Sequence, residues 1–287
     1  MKSGFIAVAG RPNVGKSTLV NALSGGKVAI VSDKPQTTRR RIFGIANGDD
    51  HQLVLVDLPG FQRPRDALTE RMQRTVDRSF EDVDAVLLVL DCRDRIGAGD
   101  RFIAARVFGL GVPVVIALSK VDRLKPGHIA SQMATGAALG DFRALHPVSG
   151  KTGDGIDELR EELVALLPEG PAYFPRDART DLSPEAQIAE LVREKALAVT
   201  REEVPHAISV EVEVIEEKTV RASIYVETES QKQIVVGKGG RIVRQIGTQA
   251  RPEIELLLGG RQVFLDLQVK VRPHWRRDEA MLERLGL

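Results

Sequence analysis

The chain of 287 residues is 43% apolar, more than one compact core accommodates, so two domains of ordinary size are expected. Forty-one basic against 40 acidic residues leave a formal charge of +1, so attraction to a polyanion must come from local segregation of charge and not from the net value. The lone cysteine, Cys92, excludes an internal disulfide, and the five histidines lack metal-ligand spacing, so no zinc is expected.

The amino terminus runs at once into the strand-like FIAVAG, too short and too soon interrupted for a secretory signal. No apolar run approaches the ~20 residues of a membrane-spanning helix. The expected location is the cytoplasm. From 1 to 167, the runs FIAVAG, QLVLVDLPG, AVLLVLD, VPVVIALSK and ALHPVSG alternate with helical patterns. Such near-continuous apolar runs fit strands buried on both faces, and their separation fits crossover helices. The prediction is an α/β domain with a doubly wound, mostly parallel sheet.

GRPNVGKST, residues 10 to 18, follows the first strand and opens a helix with the spacing G-x-x-x-x-G-K-[ST]. Amides from Asn13 through Val14, Gly15 and Lys16 to Ser17, with Thr18 beside them, would wrap a β-phosphate. Lys16 would reach the β and γ oxygens and the Ser17 hydroxyl would ligate magnesium. DLPG, 57 to 60, ends a strand, placing Asp57 for a second magnesium contact and the Gly60 N–H to sense a γ-phosphate. In KPQTTRRRIFG a threonine completes the magnesium shell, Thr38 before Thr37. Arg40 and Arg41 read equally well as a solvated strand edge.

SKVD, 119 to 122, ends another strand, and the Asp122 carboxylate can accept from both N1–H and N2–H of guanine, a donor pair that adenine lacks. Alone, this tetrapeptide could be an ordinary strand end. SGK, 149 to 151, offers the Gly150 N–H to guanine O6. The predicted GTP site is therefore Asn13 to Thr18, Ser119, Lys120, Asp122, Ser149, Gly150 and Lys151.

Residues 168 to 183, rich in proline and polar residues, read as an interdomain linker. From 184 to 287 the pattern changes. Ser183 can cap a helix with Pro184 at its first position. Two alternating runs, Ile208 to Val214 and Val220 to Val226, form a predicted hairpin, and Val263 to Val271 a third strand. Between them GKGG, 237 to 240, is a G-x-x-G turn between two helices. It presents amides to the phosphates of about four single-stranded nucleotides, although a helix end followed by a new helix gives the same spacing. Gly237, Lys238, Gly239, Gly240, Arg241 and Arg244 are the predicted RNA contacts. Residues 232 to 277 carry ten basic against three acidic residues, while the preceding hairpin and helix are acidic. Aromatic residues are scarce, so base stacking is expected to be minor.

The four loops at strand ends, in this order, resemble those of P-loop GTPases, with Ser119 where that family has Asn and Ser149-Gly150-Lys151 in place of Ser-Ala-Lys. The shorter Ser119 side chain is expected to shorten the tie to the P-loop. Phe61 stands where many regulatory members have a water-orienting Gln, so hydrolysis is expected to be slow and assisted. In relatives with an apolar residue at this place, an Asn equivalent to Asn13 holds a potassium ion against the phosphates. The expected catalytic set is Lys16, Thr38, Gly60 and Asn13. The second region resembles a type II KH domain. With QTTR, DLPGF, QKQIVVGKGG and the terminal VKVRPHWRRDEAMLERLGL, nearly the whole chain resembles the bacterial Era family. That resemblance implies a monomeric GTP/GDP switch using Mg2+, which binds the 3' end of 16S ribosomal RNA and assists 30S subunit assembly, with no DNA partner. The alternative is a signalling GTPase, peripheral at the inner face of the cell membrane, whose KH-like domain binds protein.

Overall fold

The structure is a computed structural model that describes residues 1–34, 36–61 and 64–287; Pro35, within the KPQTT stretch, lies outside them. The chain divides into two compact units, Met1–Ala29 with Thr38–Arg63 and Met72–Asp181, and Ile30–Thr37 with Pro64–Arg71 and Leu182–Leu287.

In chain order the first unit runs β1 (Lys2–Ala9), α1 (Lys16–Leu23), β2 (Ile42–Asn47), β3 (His51–Asp57), α2 (Ala67–Ser79, its first turn in the second unit), β4 (Ala85–Asp91), α3 (Ala98–Phe108), β5 (Val114–Ser119), α4 (Pro126–Ala137), β6 (Ala144–Pro147) and α5 (Ile156–Ala165). The strand order is β2-β3-β1-β4-β5-β6, parallel except for the antiparallel pair β2/β3. Why the strands read as unbroken apolar runs is visible in β1. Ile6 and Val8 enter one core cluster and Ala7 and Ala9 the other, so each strand feeds two cores. At ~1.5–3 kcal/mol for each fully buried Val, Leu or Ile, this double burial is the main term holding the strand ends, and hence the loops, in place.

β2 is an addition to the five strands expected. Ile42 and Ile45 are buried against the sheet, while Arg41 precedes the strand with its guanidinium 4.6 Å from the Phe43 ring centre. The proline-rich stretch after α5 is laid along this unit. Ser3 N–H donates to the Pro168 carbonyl, Gly170 N–H to Met1 and Ile45 N–H to Arg179, each at 2.9 Å. The Gln52 side-chain Oε1 accepts from the amides of Tyr173 and Phe174 at 2.8 and 2.9 Å.

The second unit runs α6 (Pro184–Val199), α7 (Val204–Ala207), β7 (Ser209–Ile215), β8 (Thr219–Val226), α8 (Glu229–Val236), α9 (Arg241–Leu257), β9 (Phe264–Val271) and α10 (Glu279–Arg284). The Ser183 hydroxyl accepts from the Ala186 amide, capping α6. β7 and β8 are antiparallel and β8 and β9 parallel, with α8 and α9 between β8 and β9 in the chain. Ile188, Val192, Ile224, Ile246 and Ile254 share one core between sheet and helices. Trp275, fully buried, donates its indole N–H to the Ala207 carbonyl at 2.8 Å and pins the carboxyl-terminal segment. Within this unit Arg193 pairs with Glu190 at 2.6 Å and donates to the Thr37 carbonyl, and Glu194 accepts from the Val31 amide at 2.9 Å.

Candidate nucleotide and nucleic-acid sites

The loop between β1 and α1 is built on glycines that nothing else could replace. Gly10 has φ 152°, and a Cβ there would lie 2.5 Å from the Val89 carbonyl. Gly15 has φ 104° and leads directly into α1, whose first-turn amides have no partner within the helix. The amides are thus gathered at a positive helix end, a setting for phosphate.

Lys16 is buried at the base of this loop, its ammonium donating to the carbonyls of Gly10 and Arg11 at 3.1 and 3.0 Å. Burial pulls its pKa down to about 8, against the opposing pull of the Asp57 charge. The Ser17 hydroxyl donates to Asp57 Oδ2 at 2.7 Å, and Thr38 Oγ1 lies 3.1 Å from Ser17 Oγ and 3.3 Å from the same carboxylate oxygen. Thr37 turns elsewhere, donating to the Lys34 carbonyl at 2.6 Å. Burial pushes the Asp57 carboxyl up, against the Lys16 charge and the two hydroxyl donors, and its Oδ1 is buried with no hydrogen-bond partner among the described residues. A buried carboxylate oxygen without a donor, beside two hydroxyl oxygens, is a set of hard ligands suited to a divalent cation.

Gly60 passes so close to the P-loop that a Cβ would lie 2.8 Å from Pro12 Cγ and 3.0 Å from its backbone N. The next side chain, Phe61, stacks on Phe80 with centroids 5.9 Å apart and lies 5.5 Å from the Arg106 guanidinium. It belongs to the hydrophobic cluster and offers no polar group to a water molecule.

At the far end of the loop, Ser119 Oγ donates to the carbonyls of Val14 and Leu90, the latter at 3.0 Å. Ser119 thus keeps a tie to the P-loop backbone at Val14. Lys120, with φ 66°, donates to the Asn13 carbonyl and to Asp91 at 2.6 Å. Asp91 was not singled out from the sequence, where it is one acid at a strand end. Although burial pushes its carboxyl up, hydrogen bonds from Arg93 and Lys120 hold it below the usual range. The Ser149 hydroxyl donates to Asp122 Oδ1 at 2.8 Å, which orients that carboxylate. Gly150 lies against α1, a Cβ there being 3.0 Å from the Thr18 carbonyl, and Lys151 is exposed beside it.

In the second unit a capping box of Thr228 and Gln231 starts α8, and Gly237, Gly239 and Gly240, with φ of 70°, 61° and 77°, reverse the chain into α9. A Cβ on Gly239 or Gly240 would meet nothing, so the backbone there is open to close approach. Lys238, Arg241 and Arg244 are exposed and enter no ion pair among the described residues. By contrast Lys270 is paired with Glu213 at 2.6 Å, Arg272 with Asp278 at 2.9 Å and Arg276 with Glu227 at 3.5 Å. Part of the positive charge in the composition is therefore neutralised within the unit, while the glycine turn keeps three exposed cations. A groove of about 380 Å3 runs between α9 and β9 beside it, lined by Val243, Arg244, Arg251, Leu265 and Leu267.

Residues 5–120 match the family model of the 50S ribosome-binding GTPase, and residues 201–276 that of the KH domain. The GTPase Era of Mycobacterium tuberculosis H37Rv is 43% identical over 99% of this chain and 98% of its own length, and that of Halothermothrix orenii 41% over the same shares. A solved variant of Aquifex aeolicus Era bound to GDP·AlF4− superposes with a TM-score of 0.95 at 36% identity, covering 100% of this chain and 99% of that one. An Era in complex with MgGDPNP and nucleotides 1506–1542 of 16S ribosomal RNA superposes with a TM-score of 0.93 at 36% identity over the same shares. With the P-loop, the switch carboxylate, the base-reading corner and the KH turn all in one chain, the protein belongs to the GTPase Era family.

Proposed function

We propose that the chain is a GTP-driven switch that clamps single-stranded RNA at the 3' end of 16S ribosomal RNA and assists assembly of the 30S subunit. The observation that carries this reading is the full-length match to an Era captured with a GTP analogue and that RNA together. In this chain Asn13 to Thr18 would hold the phosphates, Asp122 would read guanine, and Ser119, Lys120, Ser149, Gly150 and Lys151 would hold that corner. Ser17, Thr38 and Asp57 would hold Mg2+, which when bound neutralises charge on the β and γ oxygens. Phe61 cannot orient water, so Asn13, placed by φ 63° at the exposed crest of the loop, would hold a potassium ion against the phosphates. Lys238, Arg241 and Arg244, with the amides of Gly237, Gly239 and Gly240, would grip the RNA backbone. GTP would alter how accessible that RNA face is; identical RNA affinity in the apo, GDP and GTP-analogue states contradicts this.

The proposed domains are 1–167 for GTP, 168–183 as connection and 184–287 for RNA. Among the described residues no helix is long and apolar enough to cross a membrane. Crosslinking in cells followed by sequencing of the attached RNA tests the reading. Reads concentrated at the 3' end of 16S ribosomal RNA support it, and their absence there contradicts it.

A further inference from the structure

Phe264 opens β9 with 68% of its surface exposed, although its neighbour Val263 is buried. β9 is an edge strand of its sheet, a position where proteins commonly place lysine, short strands or bulges to discourage pairing. Phe264 makes no ring contact with another aromatic or cationic side chain among the described residues. Its backbone is nonetheless fixed: its N–H donates to the Lys218 carbonyl at 2.8 Å, and it pairs in register with Thr219. The ring is thus presented on a rigid mount.

Phe264 lines two cavities at once. One is the groove of about 380 Å3 beside the glycine turn, and the other, of about 530 Å3, is lined by Lys218, Arg251, Glu255, Gln262 and Val263. Arg251 also borders both. The one acid of the second cavity is occupied, since Glu255 accepts from the Val263 amide at 3.2 Å and lies 3.8 Å from Arg251. With Arg251 balanced by Glu255, exposed Lys218 is the surplus cation of that cavity, and Gln262 is exposed as a donor and acceptor. A flat exposed ring between two cavities with cations on both sides suits one kind of ligand: a nucleobase on the ring, with phosphates on the cations.

We propose that Phe264 is a stacking shelf for an unpaired base next to those held in the α9/β9 groove, and that the RNA path continues past it into the cavity of Lys218, Arg251 and Gln262. This rests on the RNA-binding reading above and gives the site a longer footprint, with one aromatic contact.

The test uses the full chain and an RNA of nucleotides 1506–1542 of 16S ribosomal RNA. Phe264→Leu keeps an apolar side chain but removes the π-face, and is expected to weaken binding roughly 5- to 150-fold, the range for loss of one stacked base. Phe264→Trp is expected to retain affinity and show quenched emission on RNA binding, whereas buried Trp275 supplies a constant background. If Phe264→Leu binds like the wild type, or the new tryptophan is not quenched while RNA binds, the shelf is wrong and the RNA-binding reading stands. If the wild type does not bind this RNA, both fall.

Discussion

The Ser17 hydroxyl donates to Asp57 Oδ2 at 2.7 Å while Oδ1 of the same buried carboxylate has no hydrogen-bond partner among the described residues. A hydrogen bond to a charged group contributes ~1.5–3 kcal/mol, and a buried carboxylate oxygen left alone carries a desolvation cost that a cation relieves. Ser17→Ala is therefore expected to reduce the magnesium-dependent gain in nucleotide affinity on the order of 10- to 150-fold. Thr38→Ala should weaken a GTP analogue far more than GDP. Titration of both nucleotides with and without magnesium checks this; equal magnesium dependence in wild type and Ser17→Ala contradicts it.

Lys16 is held at about 8 by burial, below the 10.5 of a free lysine. Its folded pKa lies below its unfolded one, so the charged form opposes folding. The nucleotide-free protein accordingly gains stability from this group as pH rises from 8 to 10.5. Phosphates restore the charge. GDP binding at pH 8.5 should take up protons, and at pH 6.5 the uptake from Lys16 should vanish. Calorimetry in buffers of different ionisation heat reads this directly, and buffer-independent heats at pH 8.5 would sink the assignment.

Asp122 is oriented by the Ser149 hydroxyl at 2.8 Å, so in the proposed role its carboxylate would meet the base edge in a fixed pose. Asp122→Asn replaces one acceptor by a donor that faces N2–H of guanine but suits the 2-oxo group of xanthine. Guanine affinity is expected to fall by ~10⁴-fold and xanthosine triphosphate to become the preferred ligand. Competition binding measures the exchange; unchanged preference for guanine shows that base identity is read elsewhere.

How much of this was legible in the sequence depends on which physical constraint each residue answers to. Gly10 and Gly60 are dictated by close approach to neighbouring backbone and Gly15 by its φ of 104°, and such constraints leave fixed spacings. Asp91 answers to Lys120 across 29 residues, and nothing local marks it. β2 was hidden because an antiparallel edge strand after three arginines has neither a long apolar run nor a clean alternation. Composition showed that 168–183 cannot continue a regular element, but not that Gln52 and the edges of β1 and β2 would hold it. Charge counting overstated the basic face because Lys270, Arg272 and Arg276 spend their charge on carboxylates inside the fold. The scarcity of aromatics likewise argued against stacking, although a single well-placed ring is enough for one base.

Phe61 is committed to Phe80 and Arg106, so hydrolysis needs help from another group. If Asn13 holds potassium, phosphate release should be faster in potassium than in sodium, and Asn13→Ala should remove the difference while retaining most nucleotide affinity. Equal turnover of the wild type in the two salts removes this role.

The central claim is that one glycine turn serves GTP and the other RNA. Its most direct test is the salt dependence of binding to the RNA of nucleotides 1506–1542 by the wild type and by Lys238→Asp with Gly239→Asp, alongside GDP affinity. Aspartate is among the side chains that most readily adopt the φ of 61° at position 239, and there it sets a carboxylate where the backbone was open to phosphate. Three cations, Lys238, Arg241 and Arg244, at ~0.7 each for a single strand give a log–log salt slope of at least about −2 in the wild type. The expected result is that slope, RNA binding abolished in the double variant and GDP binding unchanged. Undiminished RNA binding by that variant would contradict it.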